Sequence, residues 1–325
     1  MRKLLFVVVS LLFIMACEDN SKNNRIVPES SGTLNNISIV IENDLWDGSI
    51  GETIRDVLAA PIYGLPQDEP MFSMNQIPPS VFSGFATKNR TVLKIEKGSD
   101  TSRVQIGNSV FAKPQKVVVI SGKTNNDIIK QITDNSDKII SAFKSEELKE
   151  KQRRIKLSLH KNNNIQEKLG ISLEFSSAYR IAKEEDKFFW IRKDITTGTI
   201  NLLLYEIPFN NITKNDSLIN QIIKVRDSVN RLKIPGPTED AYMITEPAYA
   251  PFLSETIIDN RLSTETKGIW DVKNAFMSGP FVNYMIEDKP NNRYVVIEGF
   301  AFAPSVEKRR YMLEMEAIIK SIKIN

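Results

Sequence analysis

The sequence contains very few of the side chains that form disulfides, thiolate metal sites or imidazole-based catalytic centres. Its 325 residues include one cysteine, Cys17, and one histidine, His160. A single thiol excludes an intrachain disulfide and a metal site built from several cysteines. A serine nucleophile would need an elbow turn beside the histidine, and the sequence has no G-x-S-x-G motif. We therefore predict no metal and no cofactor.

An excess of charge of one sign is also missing. The chain has 43 Lys+Arg and 40 Asp+Glu, and removal of Arg2 and Lys3 with the N-terminal segment leaves 41 basic residues against 40 acidic ones. Such a balance provides no net positive charge that would attract nucleic acid or anionic lipid. Nucleic acid is therefore not predicted as a partner.

Residues 1–16 consist of a positively charged start followed by an apolar run that one serine interrupts. This pattern is typical of a secretory signal peptide, and the run is shorter than the ~20 apolar residues of a membrane-spanning helix. Ile14-Met15-Ala16-Cys17 resembles the lipobox of bacterial lipoproteins, in which the cysteine becomes the first mature residue and carries acyl groups such as palmitate. The alternative is an ordinary secretory signal with a chance cysteine. We predict cleavage before Cys17 and acylation of Cys17.

Residues 17–33 are mostly polar and predict a flexible tether with a mean reach of about 20 Å. Stable anchoring needs more than one acyl chain, and the acylated cysteine of bacterial lipoproteins supplies this. Glu18 and Asp19 resemble the surface-export signal of Bacteroidota lipoproteins, although a solvated start of the tether also explains them. Glu18 disfavours retention in the inner membrane, by analogy with enterobacterial sorting. We predict a lipid-anchored envelope protein on the outer membrane, with the periplasmic face favoured over the cell surface.

Strand patterns followed by helical patterns occur in both halves of the remaining chain. They predict an α+β fold of two domains, each with an antiparallel or mixed sheet flanked by helices. We assign residues 34–144 to an N-terminal domain, 145–165 to a connecting helix and 166–325 to a C-terminal domain. The sequence shows no repeat at the residue level. Duplication of the halves and the oligomeric state therefore stay open.

Three helix starts are predicted from capping residues. Ser49 opens a capping box, Thr124 follows a strand and a glycine, and Ser305 precedes the last helix. Ser121-Gly122-Lys123-Thr124 imitates the end of a P-loop, but Val117 stands where that motif needs a glycine. The prediction is a tight turn with an N-cap at Thr124 rather than a nucleotide site.

A long segment without regular structure, residues 64–85, is the strongest candidate for function. Loops beyond about 12–15 residues without regular structure are uncommon in compact domains and often bind something. Its prolines make it stiff, and its methionines and phenylalanines make it apolar. It either packs on the first sheet as a lid or presents an apolar patch to an envelope partner. The candidate partner-binding residues, with one aromatic side chain from an earlier turn added, are Trp46, Met71, Phe72, Met74, Phe82 and Phe85.

Four motifs are spread over the predicted mature chain. They are LPQDEP at 65–70, PPSVFSGF at 78–85, IPGP at 234–237 and EGF through KRRYM at 298–312. Together with the lipobox they resemble an uncharacterised lipoprotein family of Bacteroidota, known only as a domain of unknown function. The resemblance implies an envelope location and no catalytic residue. The end of the chain is also similar to the layered α/β/α domains of the PsbP and Mog1 type, which implies a fold and no function.

Three functional hypotheses follow. The first, which we favour, is a non-enzymatic binding or assembly factor that uses segment 64–85. The second is a carboxylate-dependent hydrolase of envelope glycan, which needs two acids at glycosidase spacing, one of them with a raised pKa. Asp44 and Asp47 beside Trp46 fit a sugar site, but turn chemistry also explains them. The third is a carrier of a small apolar ligand, which needs a dry cavity.

Overall fold

The computed structural model describes residues 27–325 of the chain. The predicted signal peptide, Cys17 and the first part of the predicted tether lie outside the described residues. The described part contains one large sheet in each half, with helices packed on both. The predicted α+β class with two sheet-based domains is therefore confirmed. No helix within residues 27–325 has both the length and the apolar character needed to cross a membrane.

The first sheet is mixed and has five strands. They are β1 (Asn36–Val40), β2 (Ser73–Ile77), β3 (Thr91–Lys97), β4 (Arg103–Asn108) and β5 (Lys116–Gly122). Their order is β2-β1-β3-β5-β4, with β4 antiparallel to β5 and the other pairs parallel. The central strands β1, β3 and β5 are rich in Ile and Val because both of their faces are covered.

The helices of the first half lie on one side of this sheet. They are α1 (Asn43–Trp46), α2 (Ser49–Leu58), α3 (Asn125–Asp134) and α4 (Ser136–Lys156). They bury a large apolar core that includes Ile54 and Phe143. On the other side of the sheet, Phe82 and Phe111 cover a smaller cluster of three valines. The two loops that carry these phenylalanines therefore replace helices on that side.

The second sheet is antiparallel and has eight strands. They are β7 (Arg180–Glu185), β8 (Phe188–Ile195), β9 (Gly198–Pro208), β10 (Tyr242–Thr245), β11 (Phe252–Ile258), β12 (Arg261–Lys273), β13 (Ser278–Asp288) and β14 (Arg293–Phe302). The order is β10-β12-β13-β14-β9-β8-β7, and β11 also pairs with β12. Two short strands, β6 (Ile171–Ser172) and β15 (Lys323–Ile324), pair separately.

Helices cover both faces of the second sheet. They are α5 (Asn164–Leu169), α6 (Leu218–Lys233) and α7 (Arg309–Ile319). The core on one face contains Leu169 and Met315 from α5 and α7. The core on the other face contains Ile222 from α6 and Trp270 from β12. The second half is therefore a layered α/β/α unit.

Besides the two-residue strand β15, the sequence did not indicate three strands, β2, β7 and β11, and these three share one property. Each pairs with a single neighbour and so lies at a sheet edge. An edge strand is partly solvated, so it does not need the apolar alternation that identifies an inner strand. The prediction that residues 64–85 lack regular structure is therefore wrong, because β2 lies within them.

The capping predictions are confirmed at one position and wrong at two. Thr124 caps α3 in a capping box with Asp127, as predicted. Ser49 is the first helical residue of α2, and Gly48 holds the N-cap position. Ser305 is not a cap either, because α7 starts only after Lys308.

The helix predicted at residues 145–165 and the tether predicted at residues 17–33 both have different bounds in the structure. Helix α4 begins at Ser136, directly after α3, and ends at Lys156. The backbone N–H of Ser31 donates to the carbonyl of Lys88 at 2.9 Å, and the N–H of Lys113 donates to the carbonyl of Pro28 at 2.8 Å. The carbonyls of residues 32 and 33 accept hydrogen bonds from Arg90. Residues 28–33 therefore belong to the folded part of the chain.

Candidate functional site

Segment 64–85 joins the two halves of the molecule at its start. Leu65 is buried in the core of the second half, together with side chains of α7. Phe72 is 1% exposed and is buried in the core of the first half. The residues between them run from one core to the other. Their packing fixes how the two halves face each other around α4 and α7.

Glu69 provides the polar part of this junction. Its carboxylate accepts hydrogen bonds from the backbone N–H of Lys308 at 2.7 Å and of Arg309 at 2.8 Å. These are amides at the start of α7, which have no partner within the helix. The negative charge also lies at the positive end of the helix dipole. Arg309 in turn donates to the Pro70 carbonyl at 2.6 Å and to Ser73 Oγ at 3.0 Å.

A second polar contact joins α4 to α7. The Glu314 carboxylate on α7 accepts from Lys151 Nζ on α4 at 2.6 Å, from Lys193 Nζ at 2.7 Å and from Tyr179 Oη at 2.9 Å. Burial raises the pKa of Glu314, but the charges of Lys151 and Lys193 outweigh this effect and hold the pKa below its usual range.

Between these contacts, α4 and α7 border a cleft of about 370 Å³. Its apolar lining comes from α4, α7 and the start of segment 64–85: Ile62, Met71, Phe72, Leu148, Met312 and Leu313. The volume falls in the range of small-molecule sites, which is roughly 300–1,000 Å³. We call this pocket the α4–α7 cleft.

Three lysines from separate elements line the same cleft: Lys144 on α4, Lys267 on β12 and Lys320 just after α7. Lys267 Nζ lies 2.8 Å from a carboxylate oxygen of Glu316 and 3.3 Å from one of Glu265. Burial lowers the pKa of Lys267, but these two carboxylates outweigh it and raise that pKa above its usual value. Lys267 therefore stays protonated, and its charge is balanced by carboxylates of the protein itself.

Lys144 and Lys320 differ from Lys267 because neither forms an ion pair with any residue of the described range 27–325. Both side chains line the cleft and stay accessible to solvent, although the surrounding atoms partly desolvate Lys144. Burial lowers the pKa of Lys144, and the charge of Lys267 lowers it further. The Nζ atom of Lys320 lies 6.0 Å from the ring centroid of Tyr284, whose hydroxyl donates to Glu265. The carboxylates of Glu316 and Glu147 also line the cleft: Glu316 pairs with Lys267 and acts at longer range on Lys144 and Lys320, and Glu147 pairs with Arg90. The cleft thus combines an apolar lining with two lysines that form no direct ion pair within residues 27–325.

The structure brings two of the six predicted partner-binding residues to this cleft. Met71 and Phe72 line it. Met74 packs against the core of the first half, and Phe82 contacts Phe111 at a centroid distance of 5.6 Å on the other side of the sheet. The Arg55 guanidinium lies over the indole of Trp46, with its central carbon 4.7 Å from the Trp46 ring centroid. The sixth, Phe85, is 76% exposed.

The two carboxyl groups with a raised pKa within residues 27–325 are paired with arginines, although Glu147 is among the residues that line the α4–α7 cleft. Burial raises the pKa of Glu147, which accepts hydrogen bonds from Arg90 and from the Asn35 backbone N–H. Burial likewise raises the pKa of Glu298, which lies 2.9 Å from Arg226. Both are held in buried ion pairs. Among residues 27–325 there is also no group of three or more His, Cys, Asp or Glu side chains that could hold a metal ion.

Fold and site together describe a two-domain α+β protein with a small-molecule-sized cleft between its halves. The family model described as Domain of unknown function (DUF4837) matches residues 158–321, just over half of the chain, and the chain belongs to this family. A second model, Domain of unknown function (DUF8532), matches residues 30–156. No curated protein matches the chain.

The predicted likeness to the PsbP and Mog1 type is found as a remote similarity. The Ran-binding protein Mog1p of Saccharomyces cerevisiae is 8% identical, with 47% of this chain and 89% of that chain covered and a TM-score of 0.31. Cyanobacterial PsbP of Synechocystis is 8% identical, with 52% and 93% covered and a TM-score of 0.34. Human StAR-related lipid transfer protein 5 is 10% identical, with 53% and 97% covered and a TM-score of 0.24. Similarity at this level carries no information on function.

Proposed function

We propose that this protein is a lipid-anchored cell-envelope protein of Bacteroidota, attached through acylated Cys17, that binds a small anionic amphiphile in the α4–α7 cleft and catalyses no reaction. The location rests on the lipobox-like residues 14–17 and the polar segment that follows them. An outer-membrane location fits Glu18, which disfavours retention in the inner membrane, and we favour the periplasmic face over the cell surface. The binding role rests on one observation: Lys144 and Lys320 line a largely apolar cleft and form no direct ion pair within residues 27–325, while the nearby Glu316 pairs with Lys267.

The chemistry of the cleft selects a ligand with two parts. An ammonium group is a strongly hydrated point charge that binds carboxylate or phosphate. The apolar lining next to it gains free energy by removing a hydrocarbon group from water. A ligand with an anionic head and a short apolar tail can pair with the ammonium groups and bury its tail against the lining. A neutral or cationic ligand of the same shape makes only the apolar contact. This narrows the carrier hypothesis to anionic ligands.

Calorimetric titration with decanoate, decanol and decyltrimethylammonium tests the charge requirement directly. The three probes share a chain and differ in the head group, so we expect measurable binding of decanoate alone. The double variant Lys144→Gln/Lys320→Gln should weaken decanoate binding by about tenfold, which corresponds to ~1.4 kcal/mol. Lys149→Gln is the matched control, because Lys149 is exposed on the same helix and does not line the cleft. Equal affinity for all three probes, or an unchanged double variant, would contradict the proposal.

The location is tested independently of the cleft. Cells of the native host grown with labelled palmitate should incorporate label into the chain, and Cys17→Ala should abolish this and release the protein from the membrane fraction. Label that persists in Cys17→Ala would show that this residue is not the acylation site.

A further inference from the structure

Two loops, residues 78–89 and 109–115, lie together on the side of the first sheet that has no α-helix; the first loop contains two single-turn 3-10 helices. Phe82 and Phe111 pack edge to face between them. The side chain of Gln115 donates to the carbonyls of Thr87 and Asn89 and accepts from the N–H groups of Phe111 and Ala112. These contacts fix both loops on one surface, which we call the loop face.

The described part of the chain starts at this loop face. Ser31 and Lys88 are joined by a backbone hydrogen bond, and so are Pro28 and Lys113. Eleven peptide units separate Cys17 from Pro28, and such a segment spans at most about 40 Å when fully extended. An anchor at Cys17 would therefore hold Pro28, at the edge of the loop face, within about 40 Å of the bilayer surface.

Exposed apolar side chains and unpaired cations occur together on the loop face. Val81 is 58% exposed, Phe85 is 76% exposed and Val110 is 39% exposed. Lys88 Nζ lies 5.4 Å from the ring centroid of Phe85, and Lys113 is exposed; neither lysine has an ion-pair partner within residues 27–325. The acid of this region, Glu29, lies close enough to Arg153 to interact with its charge.

We infer that the loop face docks on the lipid bilayer, with Val81 and Phe85 in the interfacial layer and Lys88 and Lys113 at the lipid phosphates. The inference rests on the proposed anchor at Cys17. Apolar side chains flanked by lysines have the composition of an interfacial contact, since the apolar groups enter the boundary of the acyl chains while the ammonium groups stay among the head groups. The overall charge balance of the chain does not oppose this, because an anionic surface acts on cations within about a Debye length.

Site-directed spin labelling tests the contact, because acylation blocks Cys17 and leaves an introduced cysteine as the only thiol. Lipidated Val81→Cys, Phe85→Cys and Phe276→Cys would each be labelled with a nitroxide and reconstituted in vesicles of phosphatidylethanolamine and phosphatidylglycerol, 3:1. Phe276 is the matched control, since it is a fully exposed phenylalanine in the hairpin between β12 and β13. Collision rates with oxygen and with a water-soluble nickel chelate are then compared.

We expect labels at 81 and 85 to collide with the nickel chelate at least threefold less often than the label at 276. The double variant Lys88→Glu/Lys113→Glu should restore the nickel accessibility of the label at 85. If the protein floats with the vesicles but all three labels are equally accessible to nickel, the docking is wrong and the anchor stands. If the protein does not float with vesicles and carries no acyl group, the anchor is wrong and the docking falls with it.

Discussion

The carboxylate of Glu69 accepts the backbone N–H of Lys308 at 2.7 Å, across 239 residues of the chain. Segment 64–85 thus caps a helix of the other half instead of standing free. The capped helix, α7, forms one wall of the α4–α7 cleft. Its first residue, Arg309, donates a hydrogen bond to the Pro70 carbonyl of the same segment. The geometry of the cleft therefore depends on this contact.

Removing the cap charge should destabilise the protein. Glu69→Gln keeps one acceptor but loses the charge at the start of α7, and we expect a loss of about 1–2 kcal/mol in the free energy of unfolding. Urea denaturation measures this, and Asp68→Asn is the control because Asp68 is the exposed neighbouring acid. An equal effect of both variants would show that the Glu69 contact contributes nothing specific.

The contact between Glu314 and Lys151 should make stability depend on pH in the acid range. The folded-state pKa of Glu314 lies below its usual value, so its contribution is complete above the unfolded pKa of about 4.3 and is lost as pH falls through the lower folded pKa. Glu314→Gln should cost about 1–3 kcal/mol at pH 7, and the difference from wild type should shrink below pH 4. Melting curves from pH 3 to 7 check this, with Glu239→Gln, an exposed acid, as the control. A difference independent of pH would contradict it.

Alanine substitutions at Phe72 and Phe85 should differ in their effect on stability, because the first side chain is packed in a core and the second lies on the surface. Phe72 is buried in the first core and contacts Phe143 at a centroid distance of 6.1 Å, so Phe72→Ala should cost about 3–5 kcal/mol. Phe85→Ala should change stability by less than about 0.5 kcal/mol, because this side chain is exposed. Denaturant titration of both variants measures the change in the free energy of unfolding. Comparable losses of stability in the two variants would show that Phe85 is buried, which would contradict the structure.

Decanoate binding should weaken at alkaline pH through Lys144. The pKa of Lys144 lies below its usual value, first because of burial and then because of Lys267, so its ammonium loses its proton earlier than an ordinary lysine as pH rises. Affinity should therefore begin to fall at a lower pH than the deprotonation of an ordinary lysine would cause. Lys144→Arg keeps its charge at alkaline pH and should bind decanoate equally at neutral and at mildly alkaline pH. Persistence of the pH dependence in Lys144→Arg would assign it to another group.

The fold class could be predicted because the inner strands and the helices carry strong local patterns. Ile37, Ile39 and Ile41 alternate along β1 and beyond it, and Thr124 marks the start of α3 by its own hydrogen bond. The edge strands β2, β7 and β11 could not be found in this way. Their hydrogen bonds go to one neighbour, and partial exposure leaves their side chains without a regular pattern.

The cleft could be predicted only in part. Met71 and Phe72 were recognised from the apolar character of segment 64–85, although their packing inside the molecule was not. Lys144, Lys267 and Lys320 come from a helix, a strand and a helix end. Each looks like an ordinary surface lysine in its own segment, so only the assembled fold brings them together.

The most direct test of the account is a crystal structure of the protein with a bromine-tagged decanoate, phased so that the bromine is located by its anomalous signal. The account predicts a bromine peak among Met71, Met312 and Leu313, with the carboxylate facing Lys144 and Lys320. A bromine peak in another cavity, with the α4–α7 cleft free of ligand density, would contradict the proposed binding site.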